Sequence, residues 1–217
     1  WLLNVASDLL KDFGCESSPN VMVDKVEAWL QRAEEGQLLY HPYISDAGER
    51  GPFVNGRARA SFTGLTYHHR FHDLVRAVVE GLGMAMRDCY ESMGGTTQEL
   101  RLSGGAVRSA TLRKILSASV GADVRVSGRE EAGAAGEAMM AAVAIGEYKS
   151  MDDCIAEWVT PLLGQIEKKD KALCDRYDVL FNAFYQQRLT LPDTWLAMEQ
   201  LREHSKTHLQ VDSSDKS

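Results

Sequence analysis

The chain has 217 residues, 44% of them hydrophobic and 25% charged, with a formal net charge of −7. That is enough apolar material for one large domain or two small ones, and it excludes an intrinsically disordered chain. The acidic balance excludes a broad electrostatic footprint for nucleic acid or anionic membrane, since both need clustered Lys and Arg to release counterions.

The opening "WLLNVASDLL" carries no initiator Met and no signal-peptide pattern. Over residues 21–33, "VMVDKVEAWLQRA", the side chains of Val23, Val26 and Leu30 share one face, with "SSPN" as a start signal and Gly36 as a stop, which predicts a short helix. "LLYHPYIS" is a brief apolar run ending at a proline, and "DAGERGPFVNGRARA" reads as a long ordered loop. From Phe71 to Met93, apolar side chains at Phe71, Leu74, Val75, Val78, Leu82, Ala85, Cys89 and Met93 recur at steps of three and four. They predict a long helix buried on one side, closed by Gly94 and Gly95. "ELRLSGG" follows as a short strand with Leu100 and Leu102 on one face.

Leu112, Ile115, Leu116 and Val120 mark the next helix, Gly121 closes it, and "DVRVS" is a second strand. "EEAGAAGEAMMAAVAIGEY" is a helix rich in Ala and Gly. Each glycine weakens a helix by roughly 1 kcal/mol relative to alanine, so close packing against a sheet or helix is the expected compensation. Leu173, Tyr177, Leu180, Phe181, Phe184 and Arg188 define a further helix, "PDTW" starts a short one, and "KTHLQVDSSDKS" is expected to fray. Helices alternating with strands predict an α/β layered domain. No run of about 18 apolar residues spans a membrane. Cys15, Cys89, Cys154 and Cys174 lack CxxC or Cys/His metal spacing, which predicts reduced, partly buried thiols of a cytoplasmic protein.

Three stretches could carry chemistry. In "LSGGAVRSATLRKIL", a strand meets Gly104 and Gly105 and then a helix start, an arrangement whose free backbone N–H groups suit a nucleotide. The spacing is neither GxGxxG nor GxxxxGK[ST], so on pattern alone both a ligand site and a plain turn stand open. His68 and His72 are four apart at a helix start and could meet a metal from one face, but no third ligand stands at a supporting spacing, which favours a solvated helix end with Asp73 offsetting local charge. Asp46, Glu49 and Arg50 sit in a glycine-flanked loop, the kind of segment that carries function and also the kind that is merely solvated. Met139 and Met140 read as core packing, and "EKKDK" as a solvated face.

Two stretches together resemble the FGGY family of carbohydrate kinases. "ASFTGLTYHHRFHDLVRAVVE" fits that family's second signature: a small residue, an aromatic, Gly64-Leu65, a seven-residue spacer, Asp73-Leu74, then Ala77, Val78, Val79 and Glu80. Downstream, "LRLSGGAVRSATLRKILSASVGADVRV" followed by the Ala/Gly-rich helix is similar to the family's adenosine-binding segment. The resemblance implies the C-terminal domain of a two-domain kinase over residues 1–190, with an actin-like, ribonuclease-H-like ATPase fold, and a C-terminal helix and frayed tail over 191–217.

It also implies transfer of the γ-phosphoryl of Mg-ATP to a hydroxyl of a small sugar or polyol, with this chain supplying the adenosine-binding part. Gly105 matches the glycine whose backbone meets the nucleotide, Gly104 forms the turn before it, and Ser109 stands where glycerol kinases have an asparagine touching adenine. A hydroxyl lacks the amide's paired donor and acceptor. Ala60 replaces a common glycine, and Glu137 replaces a small residue in the Ala/Gly-rich helix and is expected to face solvent or find a partner. The loop "GERGPFVNGRARASFTGL" and the later "CIAEWVTPLLG" are more similar to erythritol-type and xylulose-type members than to glycerol kinases.

The resemblance places the general-base aspartate, the phosphate loop and the N-terminal domain upstream of Trp1, so the piece alone is expected to be inactive, with no metal ligand of its own. A homodimer is compatible with it. The alternative of a different class is a non-catalytic nucleotide-binding sensor or regulator on the same superfamily fold.

Overall fold

The first part of the chain forms three short helices. The computed structural model describes residues 1–15, 17–95, 97–129 and 131–214, with the side chains of Ala106 and of 205–214 outside the description. Helix α1 spans Leu2–Asp12, α2 Pro19–Val23 and α3 Val26–Arg32. Sequence periodicity had no element for α1, and the single helix expected over 21–33 is two. Ser18 caps α2, accepting from Val21 N at 3.4 Å, with Pro19 at the first helical position. The β-branched Val21 and Val23 beside Asp24 are poor helix formers, and the chain turns before restarting at Val26.

Strand β1, Leu39–His41, pairs antiparallel with β2, Ser61–Thr63, in a two-stranded ribbon. The loop between them is ordered as expected, folded back on itself midway by reciprocal Glu49 and Asn55 backbone bonds of 3.0 and 2.9 Å.

Helix α4, Phe71–Ser92, is the long helix the apolar pattern predicts, started by Asp73, whose Oδ2 accepts from Arg70 N at 2.7 Å. Its buried side differs from the predicted stripe: Leu82 is 51% exposed and Met93 73%, while Gly81 and Gly83 are buried. A Cβ on Gly81 would lie 2.2 Å from Tyr40 O, and one on Gly83 2.3 Å from Ser119 Oγ. The closest contacts of α4 are therefore made where it has no side chain, a feature that a search for large apolar residues passes over.

The buried face also carries Arg76 and Glu80. Arg76 Nε donates to Glu80 Oε1 at 2.7 Å, its Nη1 donates to Leu30 O at 2.7 Å, and Tyr177 OH donates to Glu80 Oε1 at 2.8 Å. Gly36 N adds a donor to Glu80 at 3.1 Å. Burial pushes the Glu80 carboxyl up, against the opposing hydrogen bonds from Arg76 and Tyr177. The glutamate that closes the second signature is thus a buried tie between α4, the turn after α3, and the last helix.

A second sheet has the order β3 (Glu99–Leu102), β4 (Asp123–Ser127), β5 (Leu163–Glu167), with β3 and β4 parallel and β4 and β5 antiparallel. Helix α5, Ala110–Val120, is the crossover between the parallel pair, and Gly121 ends it at φ +74°. Leu100, Val120, Ala122 and Val124 fill the space between this helix and the sheet.

Helix α6, Ala132–Ala144, departs from expectation. Only Met139 among its described residues is buried, Met140 is exposed, and a Cβ on Gly133 or Gly136 would meet nothing within 4 Å. Its small residues do not serve close packing here, and Glu137 faces solvent as expected. Helix α7, Met151–Trp158, and β5 follow.

The last helix, α8, runs Lys171–Ser214 with Pro192 inside it. The break expected before "PDTW" does not occur, and helix continues through most of the stretch expected to fray, of which 215–217 lie outside the described residues. Leu173, Tyr177, Phe181 and Phe184 of α8 meet Leu30, Val75, Val79 and Ile115 in the main core. Leu191 and Trp195, past the expected break, join Tyr43 and Ala58. Arg188, expected in the apolar series, instead pairs its Nε with Asp88 Oδ2 at 2.9 Å. All four cysteines are free: Cys154 is buried, Cys89 and Cys174 are half-buried, and Cys15, against expectation, is exposed.

Candidate functional site

Strand β3 delivers the chain to Ser103 in extended conformation, and Gly104 then turns it at φ +72°, a value that favours glycine. Residues Gly104–Arg108 form a short 3-10 turn that lies beside the end of β4. Between the two is a cleft of about 540 Å³, walled by Gly104, Gly105, Val107 and Arg108 on one side and by Val126, Ser127, Gly128 and Arg129 on the other. That volume falls within the range of small-ligand sites.

The two glycines are there for different reasons. Gly104 is required by its backbone angle. Gly105 has no positive φ, and a Cβ on it would meet nothing within 4 Å, so the fold makes no steric demand for glycine at that position. The walls themselves are fixed from outside the cleft. Arg113 of α5 donates through Nη1 to Val107 O and through Nε to Glu167 Oε2 at 2.9 Å, and Arg129 Nη2 donates to Trp158 O.

Ser109 follows the 3-10 turn and caps α5, its Oγ accepting from Leu112 N at 2.9 Å. It is not among the residues that wall the cleft. Its hydroxyl proton goes to Glu27 Oε2, a residue of α3 that is 82 positions earlier in the chain. Thr111 Oγ1 donates to Glu27 Oε1 at 2.6 Å, Thr111 N to Oε2 at 3.3 Å, and Gln31 Nε2 to Oε1 at 2.7 Å. Burial acts to raise the Glu27 carboxyl, but the hydrogen bonds from Ser109, Thr111 and Gln31 outweigh it and hold the group below its ordinary range. Glu27 therefore stands as a carboxylate at the N-terminal end of α5, where the helix dipole favours a negative charge. No local pattern in the sequence marks it.

The other candidates have structural partners. His69 Nδ1 accepts from Thr66 N at 2.9 Å, His72 lies 3.6 Å from Asp73, and the His68 ring sits on Tyr67. Among the described residues, no three of His, Cys, Asp and Glu come together as metal ligands. In the loop, Glu49 Oε1 accepts from Arg50 N at 2.8 Å and Gly51 N at 3.2 Å, and Asp46 O accepts from Arg59 Nη2 at 3.2 Å. The Glu49 carboxylate thus ties the loop, in which Asp46 and Arg50 take part through main-chain atoms.

Residues 4–145 match the family described as the FGGY family of carbohydrate kinases, C-terminal domain. The erythritol kinase of Brucella abortus (strain 2308) is 57% identical over 195 residues, 90% of this chain and 38% of that protein. The xylulose kinase of Escherichia coli (strain K12) is 32% identical over 205 residues, 88% of this chain and 40% of that protein. The chain thus spans about two fifths of the length of these relatives. In three dimensions, ligand-bound xylulose kinase from Lactobacillus acidophilus matches with a TM-score of 0.72 at 23% identity, over 91% of this chain and 39% of that one, a likeness of fold.

Proposed function

The chain belongs to the FGGY family of carbohydrate kinases, with the actin-like fold of its C-terminal domain, and from that premise we propose that it forms the adenosine-binding part of an ATP-dependent polyol kinase. The observation that carries this reading is the cleft between the 3-10 turn and β4, with Gly104 and Gly105 at its edge in the segment that resembles the family's adenosine-binding one. Gly105 brings main chain to the nucleotide without a side chain between them, and Arg108 and Arg129 flank it, while Ser109 follows this wall along the chain without being part of it.

In such an enzyme the γ-phosphoryl of ATP passes to a hydroxyl of the acceptor, and catalysis is mostly positioning and charge stabilisation. The part of this chain is positioning: it holds the nucleoside end so that the triphosphate points one way. Mg²⁺ belongs to this chemistry, yet the described residues bring together no ligand cluster for it, and none of the residues named above is assigned to it. Identity of 57% with an erythritol kinase, against 32% with a xylulose kinase, supports a four-carbon polyol as the acceptor.

The test is a coupled ADP-release assay of the intact protein with erythritol, other polyols, xylulose and gluconate. Turnover should be fastest with erythritol. No ADP release with any four- to six-carbon acceptor would refute the proposal.

A further inference from the structure

The cleft beside Gly104 and Gly105 carries a charge pattern that the rest of its sheet does not. The chain holds 31 acidic residues against 24 basic ones, and the arginines nearest the cleft are neutralised. Arg101 and Arg125 share Glu99 at 3.1 and 3.0 Å, and Arg113 meets Glu167 at 2.9 Å. Arg108 and Arg129 stand on the two facing walls, no acidic residue walls the cleft, and neither arginine has a carboxylate partner among the described residues. Trp158 O takes one N–H of Arg129, and a neutral carbonyl orients a guanidinium without cancelling its charge. Arg108 shares no side-chain N–H with a described residue.

A neutral donor adds to the two cations. Ser127 Oγ accepts from Arg129 N at 3.3 Å, which leaves its hydroxyl proton uncommitted among the described residues. Glu131 stands at the start of α6 and not on the cleft wall, and the first turn of α6 holds no acidic residue. The walls therefore offer positive charge and donors, and the only acceptors they carry are neutral.

We propose that Arg108 and Arg129 form a clamp for a phosphoryl group, gripping it between the two walls of the cleft. A guanidinium presents paired N–H donors that match two oxygens of a phosphate, and two guanidinium groups from opposite sides compensate its charge where no carboxylate competes. On the nucleotide reading of the cleft, on which the choice of ligand rests, the group held is the phosphate next to the ribose. Gly105 then lies against the nucleoside, and the arginines fix where the triphosphate leaves it. A free phosphate has the same chemistry, and the experiment separates the two sources.

The experiment is calorimetric titration of the intact protein, without acceptor, with adenosine, AMP and inorganic phosphate. In the wild type AMP should bind at least about tenfold more tightly than adenosine, and raising the salt concentration should erode that advantage. Arg108 has no side-chain partner to lose, so Arg108→Gln should fold and cut the AMP-to-adenosine ratio by about threefold or more. Arg108→Gln together with Arg129→Gln should bring the ratio close to one while adenosine binding stays as it was. If the arginines only hold the fold or stay solvated, the variants weaken both ligands alike or neither; the ratio does not move, and the inference is overturned. A wild type that binds AMP and adenosine equally, and no inorganic phosphate, overturns it too and leaves the nucleotide reading standing. Inorganic phosphate bound in an arginine-dependent way, with neither adenosine nor AMP bound, supports the clamp and overturns the nucleotide reading. A wild type that binds none of the three overturns both.

Discussion

Replacing Arg76 by methionine tests the buried tie that α4 makes to the rest of the core. Arg76 is 4% exposed and Glu80 2%. The substitution removes the 2.7 Å partner of Glu80 and the donor to Leu30 O, leaving the carboxylate with Tyr177 OH at 2.8 Å and Gly36 N at 3.1 Å. Stripping one member from a buried ion pair costs about 3–5 kcal/mol, because the remaining charge is left uncompensated. At about 2–4 °C per kcal/mol for a chain of this size, the melting temperature should drop by roughly 6–20 °C.

The double variant Arg76→Met/Glu80→Leu should recover most of that loss, since an apolar pair of similar volume is often no worse than the ions it replaces. Burial already pushes the Glu80 carboxyl up, and losing Arg76 pushes it further. A carboxyl raised in the folded state is penalised above its folded pKa and relieved as pH falls through it, so the Arg76→Met deficit should be smaller at pH 5 than at pH 8. Urea unfolding at both pH values, with the double-mutant cycle, measures all three quantities. A single-variant cost below about 1 kcal/mol, or a double variant as unstable as the sum of the singles, would refute the reasoning.

Two glycine substitutions should have opposite signs. Gly81→Ala drives a Cβ to 2.2 Å from the Tyr40 carbonyl and should destabilise by about 1–3 kcal/mol, whereas Gly136→Ala, in open space inside α6, should stabilise by about 0.5–1 kcal/mol; thermal melts compare them directly. A Cβ at Gly105 meets no neighbouring heavy atom within 4 Å, so Gly105→Ala should leave the melting temperature unchanged within about 2 °C while weakening ATP binding at least about tenfold by calorimetry. Glu27 is held below its ordinary pKa of 4.5, so its contribution to stability is complete above that pH and lost as pH falls through the lower folded value. The stability difference between wild type and Glu27→Gln should accordingly be constant near neutrality and shrink in acid, as read from urea midpoints.

The sequence carried the layered α/β character, the long helix α4, and the run from β3 through α5 to β4 almost residue for residue, because each of those elements has a clean period and a glycine at its end. It misplaced the buried side of α4, because Gly81 and Gly83 make contact through backbone and so have no hydrophobic signature. Pro192 suggested an end to a helix, yet Leu191 before it and Trp195 after it both bury their side chains, and that packing outweighs the one donor that proline lacks. Gly104 and Gly105 could be found because strand, glycine and helix start are adjacent in the chain. Glu27 could not, since its meeting with Ser109 and Thr111 is a product of tertiary folding alone.

Helix α8 reaches both the main core, through Leu173 to Phe184, and Tyr43 and Ala58 of the ribbon loop, through Leu191 and Trp195. Trp195 Nε1 donates to Arg59 O at 3.1 Å, and His41 shares a 3.0 Å hydrogen bond with Phe184 O. A ribbon of two three-residue strands would open readily by itself, but here its opening must tear a face from a helix that the main core also holds. Hydrogen exchange of the amides at Tyr40 and Phe62 should then proceed through a cooperative, sub-global event with α8 rather than through local fraying, which makes the ribbon and the helix one unfolding unit.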